Sequence, residues 1–141
     1  MSELSEFLDV KVSDIEMPTV LPSGVFKFVL TRYNIDRATN EKRTPFVRAT
    51  FKPVDVIECD TDVNIGSART VTSDFWRTPA ADKIAIEFFE RKLGLDVTGE
   101  ETTIGSLWEE ALGAEVVAEV KQGVSKKGNP FAEIVRFFRA D

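Results

Sequence analysis

The sequence predicts a mainly β fold with helices, of the α+β class, with five strands and a helical connection between the third and the fourth. Three observations predict it. Runs rich in β-branched and aromatic residues recur at 25–33, 45–52, 69–76, 116–121 and 131–138. The one clean helix-start signal, Thr78-Pro79, falls after the third run. The resulting order (three strands, helices, two strands) does not alternate strand with helix, which argues against a doubly wound parallel sheet.

Residues 1–23 read as an acidic N-terminal extension. Leu4, Phe7, Leu8 and Val10 can form a short helix, and Pro18 and Pro22 then break regularity. Residues 24–141 read as a single domain. Gly24 opens the first strand, Val25 to Tyr33, and Asn34 to Thr44 is a polar connection. The second strand, Pro45 to Lys52, alternates: Val47, Ala49 and Phe51 share a core face, while Phe46, Arg48, Thr50 and Lys52 share the other. Pro53 to Gly66 is acidic and reads as a loop or edge. The third strand runs from Arg69 to Trp76.

Thr78 then caps a helix with proline at its first position, and Ile84, Phe88, Phe89 and Leu93 form its apolar stripe before Gly94. A second helix is expected from Ile104 to Leu112, capped by Thr103 and stopped by Gly113, with a stripe of Ile104, Leu107, Trp108 and Leu112. Val116 to Lys121 and Phe131 to Phe138 are the last two strands. The glycine-containing basic connector Gln122 to Pro130 has the character of a hairpin loop.

Composition narrows the function. The 141 residues suffice for one domain with a core. No long apolar run is present, so no membrane span is expected. The start, Met1 to Glu6, is acidic and lacks the basic n-region of a signal peptide. The lone Cys59 excludes an internal disulfide and suits a reducing compartment, so a cytoplasmic location is expected, in the host cytoplasm if the chain is viral. Histidine is absent, which removes the commonest general base and the usual zinc ligand. Asp55, Glu58, Asp60 and Asp62 lack the spacing of an EF-hand loop. Glu100-Glu101 and Glu109-Glu110 are sequence neighbours that point apart on a helix. No catalytic residue, metal or cofactor is expected, and the chain is not read as an enzyme.

Charge is sorted by segment. The net charge is −6, yet Gly24 to Lys52 carries seven basic residues against two acidic ones, and Lys121 to Asp141 carries five against two. The negative excess sits in residues 1–23 and 53–120. Two basic segments set apart from an acidic remainder suggest a face for a polyanion.

The element order matches a five-stranded Greek-key barrel of the OB type, in which a helix lies between strands 3 and 4. Nucleic acid binds the strand 2–3 face and the loops joining strands 1–2 and 4–5 in that fold. Here those loops carry Arg37, Lys42, Arg43, Lys126 and Lys127.

The stretch Leu107 to Lys121, followed by Ser125-Lys126-Lys127-Gly128-Asn129-Pro130-Phe131, and the Leu21-Pro22-Ser23-Gly24 lead into a strand, resemble bacteriophage OB-fold single-stranded DNA-binding proteins. The likeness is one of overall pattern over roughly residues 20–140. It implies a protein that binds single-stranded DNA in replication or recombination, with replication or recombination proteins as further partners. Many such proteins end in an acidic tail that recruits partners. This chain stops at Phe138-Arg139-Ala140-Asp141, so recruitment through such a tail is not expected unless the acidic N-terminal arm takes that role.

Binding single strands without strong sequence preference needs cations along the phosphates and rings beneath the bases. The candidate cations are Arg32, Arg37, Lys42, Arg43, Arg48, Lys52, Lys121, Lys126 and Lys127, and the candidate rings are Tyr33, Phe46, Trp76 and Phe131. Phe46 shares a face with Arg48 and Lys52 and is the preferred stacking ring. Trp76 and Phe131 stand as core or platform, and Trp108 as core. RNA is the alternative polyanion. The competing expectation is a protein-interaction module, either a virion component or an inhibitor of a host factor, motivated by the net acidity.

Overall fold

The structure is a computed structural model, and it describes residues 19–39 and 41–140. The expected N-terminal helix and most of the acidic extension lie outside the described residues. Five strands are present: β1 Gly24–Arg37, β2 Pro45–Glu58, β3 Val71–Trp76, β4 Glu115–Val124 and β5 Pro130–Phe138. Two helices, α1 Pro79–Glu87 and α2 Ile104–Ala111, lie between β3 and β4. The strands form one antiparallel sheet in the order β3-β2-β1-β4-β5.

Each helix begins where its cap predicts. The Thr78 hydroxyl accepts from the Ala81 amide, with Pro79 in the first turn. Thr103 and Ser106 form a reciprocal capping box. α1 runs on into a π-helical turn over Phe88–Lys92, which seats both Phe88 and Phe89 in the core. Gly94 (φ +73°) and Gly113 (φ +83°) then take left-handed turns that favour glycine. The stripes differ in detail from expectation. Ile84 and Leu112 are exposed, while the small Ala85 and Ala111 are buried with the core.

β1 and β2 are both longer than their apolar runs. β1 continues through Asn34–Arg37 because β2 pairs with it along its whole length, and ladder hydrogen bonds need no apolar side chain. β2 continues past Lys52 through the buried Pro53, which sits opposite Phe28 at a register shift, where a missing N–H is tolerated. Asp55 and Glu58 therefore belong to a strand, and since β3 pairs only with Phe46–Phe51 this end of β2 is an edge, the second of the two expected readings.

The inward row of the sheet includes Phe26, Phe28, Leu30, Val47, Ala49, Phe51, Val116, Ala118 and Val120, all buried. The helices add Phe88, Phe89, Leu107 and Trp108. Ring contacts knit these together: Phe89 meets Trp108 edge-on at 4.8 Å, and Phe51 meets Phe88 at 6.4 Å.

β3 and β5, at opposite ends of the strand order, come within 8 Å of each other by Cα. Phe75 of β3 stacks on Phe137 of β5 at 6.2 Å. No ladder joins them, since β3 pairs only with β2 and β5 only with β4. The sheet curls but does not close, which corrects the expectation of a complete barrel. The reason lies at the seam. Thr19 forms a parallel bridge with Ala68, donating to Ser67 O and accepting from Arg69 N, so the chain preceding β1 takes the edge just ahead of β3. A cavity of about 210 Å³ separates Val71 and Thr72 from Pro130, Phe131 and Ala132. Among the described residues, no helix is long and apolar enough to cross a membrane.

Candidate nucleic-acid interface

The outer face of β2 and β3 follows from their register. Phe46 pairs with Trp76, Arg48 with Asp74 and Thr50 with Thr72. β1 adds Asp36, Asn34 and Arg32 opposite Phe46, Arg48 and Thr50. The Phe46 and Trp76 rings lie 4.8 Å apart at 48°. Phe46 is only 6% exposed, whereas Trp76 is 39% exposed. This reverses the sequence expectation: Trp76 is the ring open to a ligand, and Phe46 backs it from the neighbouring strand.

Arg48 does not stand as a free cation. Its guanidinium lies 5.1 Å over the Phe46 ring, and its Nε and Nη2 donate to the two Asp74 oxygens at 2.8 and 3.1 Å. The Asp74 carboxylate raises the Arg48 pKa above its ordinary value, first by the hydrogen bond and then by charge. Both groups are solvent-exposed, so the pair orients Arg48 more than it stabilises the fold. Asp36, Arg37, Arg48 and Asp74 all line a cavity of about 340 Å³ beside Trp76. Its charged walls balance, so the expected cationic face is neutral here.

Net positive charge lies in the two loops flanking this face. In the β1–β2 loop, Ala38 N donates to Thr44 O at 2.9 Å and Arg37 Nη1 to Arg43 O at 3.3 Å, while Arg43 takes a left-handed turn (φ +47°). Lys42 is exposed at its tip. In the β4–β5 loop, Ser125 N donates to Asn129 O at 2.8 Å and Gly128 N to Ser125 O at 2.9 Å. Gly128 takes φ +84°, and Lys126 and Lys127 stand exposed at the turn.

β3 links the two loops. Its first residues border Pro130 and Phe131 across the 210 Å³ cavity, and its last, Trp76, borders Ala38 and Thr39. A strand from Val71 to Trp76 spans about 17 Å at roughly 3.3 Å per residue. Arg69, just ahead of β3, borders Asn129 and Pro130. It is exposed and forms no ion pair among the described residues. Sequence reading passed over Arg69 because it sits in an acidic stretch. Only the approach of β5 to β3 brings it beside Asn129 and Pro130, at the end of the β4–β5 loop.

The remaining candidates scatter. Phe131 is 44% exposed and lines the seam cavity. Arg32 Nε reaches within 3.5 Å of Thr50 Oγ1, covering that buried hydroxyl on the same outer face. Lys52 lies farther along β2 opposite Val29, and Lys121 lies opposite Glu133 on β4–β5, both exposed. Tyr33 points the other way. Its ring packs 5.8 Å from Trp108 and its hydroxyl donates to Glu109 Oε1, which raises its pKa, chiefly through that hydrogen bond. It belongs to the inner side of β1 and does not join the Trp76 platform. Compared with known proteins, the chain matches no family model and no curated protein.

Proposed function

We propose that the chain is an OB-type domain that binds single-stranded DNA without strong sequence preference, in replication or recombination of the bacteriophage kind. The observation that carries this reading is the course of β3, which runs from the β4–β5 loop with Lys126 and Lys127 to the β1–β2 loop with Lys42 and bears the exposed Trp76. The strand order supports the OB reading, since joining β3 to β5 would complete the ring of that partly open barrel. Cations at both ends hold phosphates and Trp76 stacks a base at the β1–β2 end, with stacking contributing roughly 1–3 kcal/mol per base.

The test is a fluorescence-anisotropy titration with a labelled single-stranded oligonucleotide at low and moderate salt. Submicromolar binding that weakens steeply with salt is the expected result. Binding that is weak at low salt and indifferent to salt would overturn the reading.

The competing reading, a protein-interaction module, draws on the net charge of −6 and on the edges that β3 and β5 leave unjoined. Replacing Arg69, Lys126 and Lys127 together with alanine separates the two. It abolishes DNA binding under the first reading and spares protein partners under the second.

A further inference from the structure

We infer that Phe131 and Arg69, at the β3–β5 seam, form a second nucleotide subsite, and that tight binding requires one strand to bridge it and Trp76. This rests on the single-strand-binding reading and concerns the length and base spacing of the strand that the face accepts.

The two rings are alike in exposure, 39% for Trp76 and 44% for Phe131. Each rests on a neighbouring strand. Trp76 lies against Phe46 of β2, and the tip of the Phe131 ring closes on Gly123 of β4. Both belong to the outer side of the sheet. In β3, Thr72, Asp74 and Trp76 alternate with Val71 and Phe75, which pack on the core. In β4, Gly123 is out of phase with the buried Val116, Ala118 and Val120, and Phe131 is its direct cross-strand partner. Phe131 and Thr72 line one cavity, which sets the ring beside the row of β3 that ends in Trp76.

The seam end also carries uncompensated charge. Arg69 is the one charged residue lining the cavity of Phe131, and it reaches into an adjoining cavity of about 500 Å³ bordered by Gln122 and Asn129. It forms no ion pair among the described residues. The cavity beside Trp76 instead sets two carboxylates against two arginines. A phosphate is therefore held more firmly beside Phe131 than beside Trp76, and the adjoining base meets an exposed ring.

The spacing decides what can use both rings. Phe131 borders Val71 and Thr72, so the rings are separated by about the length of β3, roughly 17 Å. A stacked strand rises about 3.4 Å per nucleotide, which makes this roughly five steps. Adjacent bases span one step and cannot serve both rings. A strand long enough to do so makes its second contact intramolecularly, and its affinity exceeds that of either contact alone.

The experiment uses two labelled DNA strands of about ten nucleotides, equal in length and phosphate number, each bearing two thymines on an otherwise abasic backbone. The thymines stand about five steps apart in one and side by side in the other. At fixed low salt the wild-type chain is expected to bind the spaced strand about fivefold or more tighter. Phe131→Leu and Trp76→Leu, which keep apolar bulk and remove the ring, are each expected to bring the spaced strand down to the level of the adjacent one. Equal binding of the two strands by the wild type, tighter binding of adjacent thymines, or a spacing preference that survives Phe131→Leu would overturn the inference while leaving single-strand binding intact. A fully thymidylated strand of the same length serves as the control. Its failure to bind in a salt-dependent way would instead sink the functional reading beneath.

Discussion

The ring of Phe131 on β5 lies over Gly123 on β4, so close that a Cβ built on the glycine would stand 2.7 Å from the ring's Cζ. Glycine is what lets this aromatic residue settle across the strand pair while staying 44% exposed at the seam. Gly123→Ala should therefore displace the ring without unfolding the domain. Oligonucleotide affinity is expected to fall about three- to tenfold, the loss of a fraction of one stacking contact. Unchanged affinity, with the far-ultraviolet circular dichroism also unchanged, would remove Phe131 from the binding surface.

The Arg48–Asp74 pair predicts an asymmetry between basic residues. Arg48 is already neutralised, so Arg48→Ala should leave the salt dependence of binding nearly unchanged. Replacing Lys126 and Lys127 together should flatten the slope of log affinity against log salt by roughly 1.4, about 0.7 for each phosphate contact on a single strand. Asp74→Asn should act in the opposite sense, releasing Arg48 for phosphate and steepening the slope by up to about 0.7. Slopes from a salt series of titrations decide the matter, and a large flattening from Arg48→Ala alone would contradict the ion-pair account.

Tyr33 is the only tyrosine in the chain, so its titration can be followed without interference. Its pKa is raised by the hydrogen bond to Glu109, then by burial and by the nearby negative charge. A group whose folded pKa lies above its unfolded value contributes stability below the unfolded value and loses it as pH climbs through the folded one. The Tyr33–Glu109 contact is accordingly intact at neutral pH and lost only in strong alkali. Tyrosinate absorbance of the native chain should rise at higher pH than in the denatured chain, and Glu109→Ala should move it back toward the ordinary tyrosine range. Coincident titration curves for wild type and variant would show that the contact does not persist in solution.

The reciprocal cap at Thr103 and Ser106 sets the start of α2, which carries Leu107 and Trp108 into the core. Thr103→Ala removes one acceptor and leaves an amide without its partner, at a cost of about 1 kcal/mol. Urea unfolding followed by tryptophan fluorescence should show a lower midpoint with an unchanged slope. A change in slope instead would point to altered compactness rather than to a lost cap.

Much of the fold was legible because local signals and pattern agreed. Thr78, Thr103, Gly94 and Gly113 act at the positions where caps and stops were expected, and Val47, Ala49 and Phe51 form the buried row of β2. What stayed hidden was decided by partners distant in sequence. Alternation puts Phe46 on the outer face, but only its pairing with Trp76 decides which ring covers the other. The cation at position 48 reads as free until Asp74 is set beside it on the next strand. Arg69 reads as an isolated charge until β5 comes near. The extra length of strand at Asn34–Arg37 carries no apolar period and follows from its pairing with β2, while at Val54–Glu58 the acidic residues hid a strand that pairs with β1 and packs Val56 on the core.

β1 occupies the middle of the sheet and takes partners made at very different moments of synthesis. Phe28 finds Phe51 soon after β2 leaves the ribosome, yet its other neighbour, Val116, arrives only when most of the chain has been translated. Through that interval a nascent three-stranded meander holds one bare central edge and an uncovered row of phenylalanines, the condition in which wrong pairing between chains is most dangerous. Arrival of β4 ends that exposure, so the speed at which the last third of the polypeptide is delivered governs how much of it reaches the native state.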